Sequence, residues 1–330
     1  MALSFSVVIN TLNRAAHLRT ALQALRYQRY RNFEVVVVNG PSTDDTEAVA
    51  GEFPGVRLGR CPAANLSMSR NIGIAMAAGD VIAFMDDDAV PELDWLADMA
   101  RAFADAKVGG AGGAIRDHTG VGFQARVIVC DRFGWAEGFD SIDAANPDGP
   151  GRPLRYYSPT GANVAYRRSA LLGIGGFDER IVYFLDETDV NLRLLEAGWA
   201  IRYRAGAEVH HKYAPSAQRT AARAPRSLHH PARSAAYFCR RHAVSAHGAA
   251  AAQDHVRRYQ AHLRRDVAGH ARSGAITQEL QKALLAEIDA GAAEGWALAA
   301  EGPQLMGPGA SRGDGFQPFP TFEQRARLAA

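Results

Sequence analysis

Three consecutive carboxylates, Asp86-Asp87-Asp88, end the apolar run Val81-Ile82-Ala83-Phe84-Met85. The run is short, partly β-branched and preceded by Gly79-Asp80, which reads as a buried strand after a turn. Adjacent carboxylates repel one another unless positive charge sits among them. Oxygen ligands of this kind suit hard divalent cations such as Mg²⁺ or Mn²⁺. The carboxyl end of a strand in an open α/β sheet is also where ligands bind. Two readings therefore stand side by side. One is a cation held at a sheet edge and bridging to an anion. The other is a solvated acidic turn entering a helix that Pro91, Glu92 and Asp94 would start. A second acidic group, Asp186-Glu187-Thr188-Asp189, precedes Leu192 and Leu195 and falls in the first turn of a helix. Acids there are favourable by roughly 0.3–1 kcal/mol each, or one of them is a general base facing a cleft. His210-His211 ends a further strand-like piece, and a neutral histidine would complete an Asp/His cation site without adding charge.

The elements around these groups alternate. Residues 5–9 and 33–38 read as strands, 15–27 as an amphipathic helix, 56–58 as a weak strand and 67–78 as a small-residue helix. The strands are apolar on both faces, which predicts a parallel, Rossmann-like sheet covered by helices. The dinucleotide fingerprint is missing, because Thr11-Leu12-Asn13-Arg14 follows the first strand where glycines are needed, and the P-loop pattern is absent. Phosphate charge must then be met another way, and a metal on Asp86 and Asp88 is the obvious candidate. The cluster Gly109-Gly110-Ala111-Gly112-Gly113 says little beyond a bend. Residues 117–160 have poor periodicity and many aromatics, and read as loops and short strands walling a cleft.

At 330 residues, 47% hydrophobic and 22% charged, the chain has ample material for one or two domains. A net charge of +2 makes no case for nucleic acid. Three scattered cysteines, Cys61, Cys130 and Cys239, suggest neither a disulfide framework nor a thiolate zinc site, and a reducing compartment fits. The expectation is a cytoplasmic chain without signal peptide or membrane span.

The motifs and their order resemble the family two glycosyltransferases. The resemblance covers roughly residues 4–212. It rests on Val7-Val8-Ile9-Asn10-Thr11-Leu12-Asn13-Arg14, Val38-Asn39-Gly40-Pro41-Ser42-Thr43-Asp44-Asp45-Thr46, Ser69-Arg70-Asn71-Ile72-Gly73 and Phe84-Met85-Asp86-Asp87-Asp88-Ala89-Val90-Pro91. Further on come Gly161-Ala162-Asn163, Gly175-Gly176-Phe177-Asp178 and Leu185-Asp186-Glu187-Thr188-Asp189. The resemblance implies a GT-A fold and transfer of a sugar, with inversion, from a nucleotide-sugar (a UDP-sugar favoured) to a hydroxyl acceptor on a glycan or lipid-linked saccharide. It implies a divalent ion, Mn²⁺ or Mg²⁺, on Asp86 and Asp88, with His210 or His211 as a third ligand. Thr11, Asn13, Arg14 and Asn39 would line the nucleoside pocket. Arg70 would face the nucleotide or its phosphates, with Asp86 near the ribose. Gly161, Ala162 and Asn163 would border donor sugar and acceptor. Glu187 matches the catalytic base by position, with Asp186 as the alternative because the usual Glu-Asp order is swapped. Asn39 stands where many members have Asp, and an amide both donates and accepts whereas a carboxylate only accepts. Asp87 would face away and shape the turn.

The expected organisation is a catalytic domain over residues 1–213 and a helical, Arg-rich extension over 214–330. The extension carries eleven arginines against two acids between residues 215 and 272. A solvated helical face is the plain reading. A basic surface meeting an anionic membrane at its inner face, or a lipid-diphosphate acceptor, is the functional one. Residues 302–318 read as a loose Gly/Pro-rich tail whose final piece packs on a neighbour or partner subunit, so an oligomer stays open. The rival readings are a sugar-nucleotide nucleotidyltransferase, which would want the missing glycine loop, and a non-catalytic sugar-nucleotide or glycan-binding module, which the retained carboxylates disfavour.

Overall fold

The computed structural model describes residues 2–307, 309 and 315–322. The first half runs β1 (Phe5–Thr11), α1 (Ala15–Leu25), β2 (Phe33–Asn39), α2 (Thr46–Gly51), β3 (Val56–Arg60), α3 (Leu66–Met76) and β4 (Val81–Phe84). It continues with β5 (Ala89–Pro91), α4 (Trp95–Ala102), β6 (Val108–Gly112), β7 (Ile115–Arg116), β8 (Phe123–Ala125), β9 (Val127–Asp131), β10 (Ala136–Phe139) and α5 (Ile142–Ala145). Next come β11 (Arg155–Tyr157), β12 (Val164–Arg167), α6 (Arg168–Gly173), α7 (Asp186–Glu196), β13 (Ala200–Tyr203) and β14 (Val209–His211). Three long helices follow, α8 (His229–His247), α9 (Ala249–Arg272) and α10 (Gln278–Leu298).

The main sheet has seven strands in the order β13-β6-β12-β4-β1-β2-β3, parallel except for β12, which runs antiparallel to both neighbours. Side chains alternate across a strand, so consecutive residues enter different cores. Val7, Ile9, Val35, Val37 and Ala83 pack under α1 and α4 with Leu18, Leu22, Trp95 and Met99. Val8, Val36, Val38, Ile82 and Phe84 pack on the opposite side with Ile74 of α3 and Val190 and Leu194 of α7. Helices on both faces are why these strands read as unbroken apolar runs. Gly73 lets α3 lie flush on β1, since a Cβ there would stand 2.5 Å from Val8 Cγ1. Residues 117–160, expected as loops and short strands, supply β8 to a four-stranded sheet, β5-β14-β7-β8, and all of a three-stranded one, β10-β9-β11.

Two expectations change. The glycine cluster is no bend: it forms β6, fully buried inside the main sheet. Its glycines make room for neighbours, because a Cβ on Gly109 would lie 2.6 Å from Trp199 Cβ. The tail packs on its own chain. Met306 N–H donates to Gly175 O at 2.9 Å, and Phe319 N–H donates to Phe33 O at 2.9 Å with the Phe319 ring buried against Phe33. The part of the tail beyond residue 322 lies outside the described residues. The extension is joined to the preceding part of the chain through a shared apolar cluster, in which Phe238 of α8 meets Leu185, Leu192 and Tyr156. No helix among the described residues is long and apolar enough to cross a membrane.

Candidate active site

β4 and β5 flank the acidic triple, and β14 pairs antiparallel with β5 so that His211 stands opposite Ala89. That pairing delivers His211 to the carboxylates. Its Nε2 lies 3.1 Å from Asp88 Oδ1 and 3.5 Å from Asp86 Oδ2. One ligand atom from each of Asp86, Asp88 and His211 lies within 4.8 Å of the others. The His211 Nδ1 is 2.8 Å from Gln124 Oε1 on β8. With Nδ1–H donating to that oxygen, the Nε2 lone pair faces two carboxylates, an arrangement that asks for a proton or a metal between them. Burial alone would lower the His211 pKa, but the hydrogen bond to Asp88 and the charges of Asp86 and Asp88 outweigh it and raise it. Burial would raise Asp88, yet His211, Arg14 and the Ala214 N–H hold its carboxyl well below the usual range. An O,O,N donor set whose imidazole is held by the Gln124 amide fits Mn²⁺ or Mg²⁺ in ligand type. Among the two histidines, His211 alone is here; His210 turns to the other side of β14 and pairs with Glu92 at 2.7 Å.

The positive charge that the acidic triple needs is partly internal. Arg14 Nη1 lies 2.9 Å from Asp87 Oδ1 and 3.3 Å from Asp88 Oδ2, while its Nη2 donates to Ala214 O and Pro215 O. Asp87 therefore does not face away. It is buried, and burial pushes its carboxyl up to about 6 against the pull of Arg14. Arg14 is thus a clamp between the acidic turn and residues 214–215, rather than a free nucleoside contact.

The other expected nucleoside residues cluster at the carboxyl ends of β1 and β2, where Thr11 and Asn39 are register partners. Asn13, in the left-handed region at φ 55°, accepts from Thr43 N–H through its side chain and so ties two loops together. The Asn39 amide is engaged on both ends: Oδ1 accepts from Ser42 Oγ at 2.6 Å and Nδ2 donates to Glu47 at 3.3 Å.

The first turn of α7 carries Asp186, Glu187 and Asp189. Arg70 of α3 is buried, with its guanidinium hydrogen-bonded to Asp186 and 3.6 Å from Glu187 Oε2, over the Phe177 ring. It is the counter-ion of the acidic pair, not an open phosphate contact. The two acids separate accordingly. The Asp186 side chain is 2% exposed and taken up by Arg70, whereas that of Glu187 is 18% exposed and accepts from Gly161 N–H at 3.2 Å. A Cβ on Gly161 would collide with the Arg70 guanidinium, so glycine is required beside this pair. Asn163 is displaced from its expected role. It is fully buried, donates to Ala114 O and Ala207 O, and accepts from Trp95 Nε1, which leaves nothing for a sugar. Ala162 is buried in the core beside it.

Sequence reasoning missed how α7 is held. Asp189, one turn along, is fully buried, 2.7 Å from Arg193 and 2.8 Å from His242 of α8. Burial alone would raise its carboxyl; Arg193 and His242 bring it well below the usual range. Only the Asp189–Arg193 spacing hinted at this. Asp189→Ala leaves two buried basic groups unpaired, and a loss of about 3–5 kcal/mol in urea unfolding is expected. The stabilisation from Asp189 is present above the ordinary carboxylate pKa of about 4 and falls away as acid protonates the folded carboxyl. The wild-type stability should therefore drop faster below about pH 4 than that of the variant.

Residues 6–171 match the family described as "Glycosyl transferase family 2". The chain is 28% identical over 240 residues, covering 62% of this chain and 75% of the relative, to the N-acetylglucosaminyl-diphospho-decaprenol L-rhamnosyltransferase of Mycobacterium tuberculosis. It is 30% identical over 249 residues, 70% of this chain and 49% of the relative, to the pre-mycofactocin glycosyltransferase of the same organism. In fold it is similar to a mannosyltransferase from Pyrobaculum calidifontis solved with GDP-Man and Mn²⁺, with TM-score 0.54 and 17% identity over 89% of this chain and 87% of that one. The chain belongs to glycosyl transferase family 2.

Proposed function

We propose that this glycosyltransferase moves a sugar, with inversion, from a nucleotide-diphosphate donor, a UDP-sugar favoured, to a hydroxyl of a lipid-linked saccharide. The observation that carries the reading is the division of the carboxylates. Asp86, Asp88 and His211 form a cation site on one side of the cleft. Glu187 is the partly open acid on the other, because Arg70 occupies Asp186. The Asp86 carboxyl feels the charge of Glu187, so the two acids are neighbours.

Asp86, Asp88 and His211 would hold the divalent ion, which when bound supplies Lewis-acid stabilisation of the departing diphosphate. Glu187 takes the proton of the acceptor hydroxyl. Its Oε1 is fixed by Gly161 N–H, which orients the carboxylate for that transfer. Arg70 anchors Asp186 and adds positive charge beside the base. Thr11 and Asn39 mark where the base of the nucleotide sits, at the carboxyl ends of adjacent strands. The acceptor class is supported by the name of the rhamnosyltransferase relative, which acts on a diphospho-decaprenol-linked saccharide.

A thermal-shift screen of UDP-, GDP- and dTDP-sugars with Mn²⁺ tests the donor. A UDP-sugar should raise the melting temperature by a few degrees at saturating concentration, and chelation of the ion should abolish the shift. NMR of the product should show the anomer opposite to the donor's. Retention of configuration, or stabilisation by no nucleotide-sugar, would overturn the reading.

A further inference from the structure

Away from the donor side, a cavity of about 540 Å³ opens between the loop after β9 and helix α9. That volume lies within the roughly 300–1,000 Å³ typical of small-molecule sites. Its walls divide into two chemistries. The aromatic wall is Phe133, Trp135 and Tyr259. Phe133 is stacked between His247 and His255, with ring centroids 4.6 and 4.8 Å away, and Trp135 packs edge-on against His255 and His262 yet stays 38% exposed. The basic wall is Arg258, His262 and Arg265, spaced i, i+4, i+7 along α9 and so on one helix face.

The acids nearby neutralise that wall only in part. Asp131 Oδ1 accepts from Phe133 N–H at 2.8 Å and Trp135 N–H at 2.9 Å, which shapes the loop. Asp254 is shared by Arg257 and Arg258, and Asp266 faces His262. Among the described residues no carboxylate pairs with Arg265. One lining residue, Tyr259, touches the segment that enters α7. Tyr259 stacks on Phe184 at 6.4 Å and 15°, and Phe184 stands two residues before Asp186.

We propose that this cavity is the acceptor's anchoring site and holds an isoprenoid diphosphate. The diphosphate lies on Arg258 and Arg265 and the first isoprenoid unit on Trp135 and Phe133. The attached sugar then extends past Phe184 and Tyr259 toward Glu187. An arginine pair matches phosphate oxygens in geometry as well as charge, and the exposed indole supplies the apolar contact that a prenyl chain needs. The assignment rests on the glycosyltransferase reading for its orientation, but the cavity can be tested without turnover.

The probe is geranyl diphosphate, titrated into the full chain while tryptophan fluorescence is followed, with geraniol and inorganic pyrophosphate as controls. Geranyl diphosphate should give a saturable quench that Trp135→Phe removes. The double variant Arg258→Ala/Arg265→Ala, at two exposed positions, should bind it at least about tenfold more weakly with an unchanged melting temperature. Geraniol should bind weakly and equally to both proteins, and pyrophosphate more weakly than geranyl diphosphate. Equal affinity of wild type and double variant for geranyl diphosphate overturns the assignment. So does pyrophosphate binding as tightly, which would mark a simple anion site, or geraniol binding as tightly, which would mark an apolar groove. If the expected binding is seen but no nucleotide-sugar is turned over, the transferase reading falls and the cavity assignment stands. If transfer occurs but the double variant leaves the KM for a lipid-diphosphate acceptor unchanged, the cavity assignment falls alone.

Discussion

Glu187→Gln is expected to lower kcat by about 10²–10⁴-fold, the range for losing a positioned general base, while calorimetry shows UDP binding at wild-type affinity. The amide keeps the size of the side chain and its Oε1 still accepts the Gly161 N–H, so the fold and the donor side are spared. What it loses is the ability to take the acceptor proton. The contrast with Asp186→Asn decides between the two acids. Asp186 neutralises the buried Arg70, and breaking a buried pair costs about 3–5 kcal/mol. Asp186→Asn should therefore lower stability in urea as well as activity, whereas Glu187→Gln should lower activity alone. A Glu187→Gln enzyme with wild-type kcat, beside a stable but inactive Asp186→Asn enzyme, would move the base by one residue.

The parallel half of the fold was legible because its strands are buried on both faces and announce themselves as continuous apolar runs. β6 was not, for a reason of packing. Val108-Gly109-Gly110-Ala111-Gly112 carries almost no side chain because Trp199 and Tyr166 fill the space above it. Propensity scores such a run as a bend, and only tertiary contacts make it a strand. Within the site, the cation cluster was legible as Asp86 and Asp88 plus a histidine, but the choice between His210 and His211 turns on strand pairing. A one-residue difference in register exchanges the faces of a strand, and the pairing of His211 with Ala89 puts His211 beside Asp86 and Asp88. The partners of the arginines were not legible. Arg14 and Arg70 were expected at the nucleotide, and both sit instead against carboxylates. Sequence spacing shows that a cation is near an anion-binding cleft. It does not show whether the fold's own acids, 73 and 116 residues away in the chain, reach it first. The same limit hid the bond from Asp189 to His242, 53 residues apart, which fixes α7 to the extension.

Asp88→Asn should reduce Mn²⁺-dependent turnover by about 10²–10³-fold, since a metal acting on a leaving diphosphate is worth several kcal/mol at roughly 1.4 kcal/mol per tenfold. Two roles of Asp88 must be separated for the result to bear on the ion. The residue faces His211 at the cation site, and it also anchors the segment after β14, since its Oδ2 accepts from Ala214 N–H at 2.7 Å and its carbonyl from Lys212 N–H at 3.1 Å. An asparagine keeps the carbonyl and one side-chain acceptor for Ala214, and Arg14 retains Asp87. The anchoring should survive, while losing the charge paired with Arg14 and His211 should lower the melting temperature by several degrees. The charge that binds the ion is gone, so the Mn²⁺ concentration giving half-maximal rate should rise and excess Mn²⁺ should restore part of the turnover. His210→Ala is the control, because that ring faces Glu92 on the other side of β14; it should leave the Mn²⁺ dependence untouched. Wild-type rates in Asp88→Asn would remove the ion from this site. A large fall in melting temperature with unaltered Mn²⁺ affinity would reduce Asp88 to an anchor for residues 212–215.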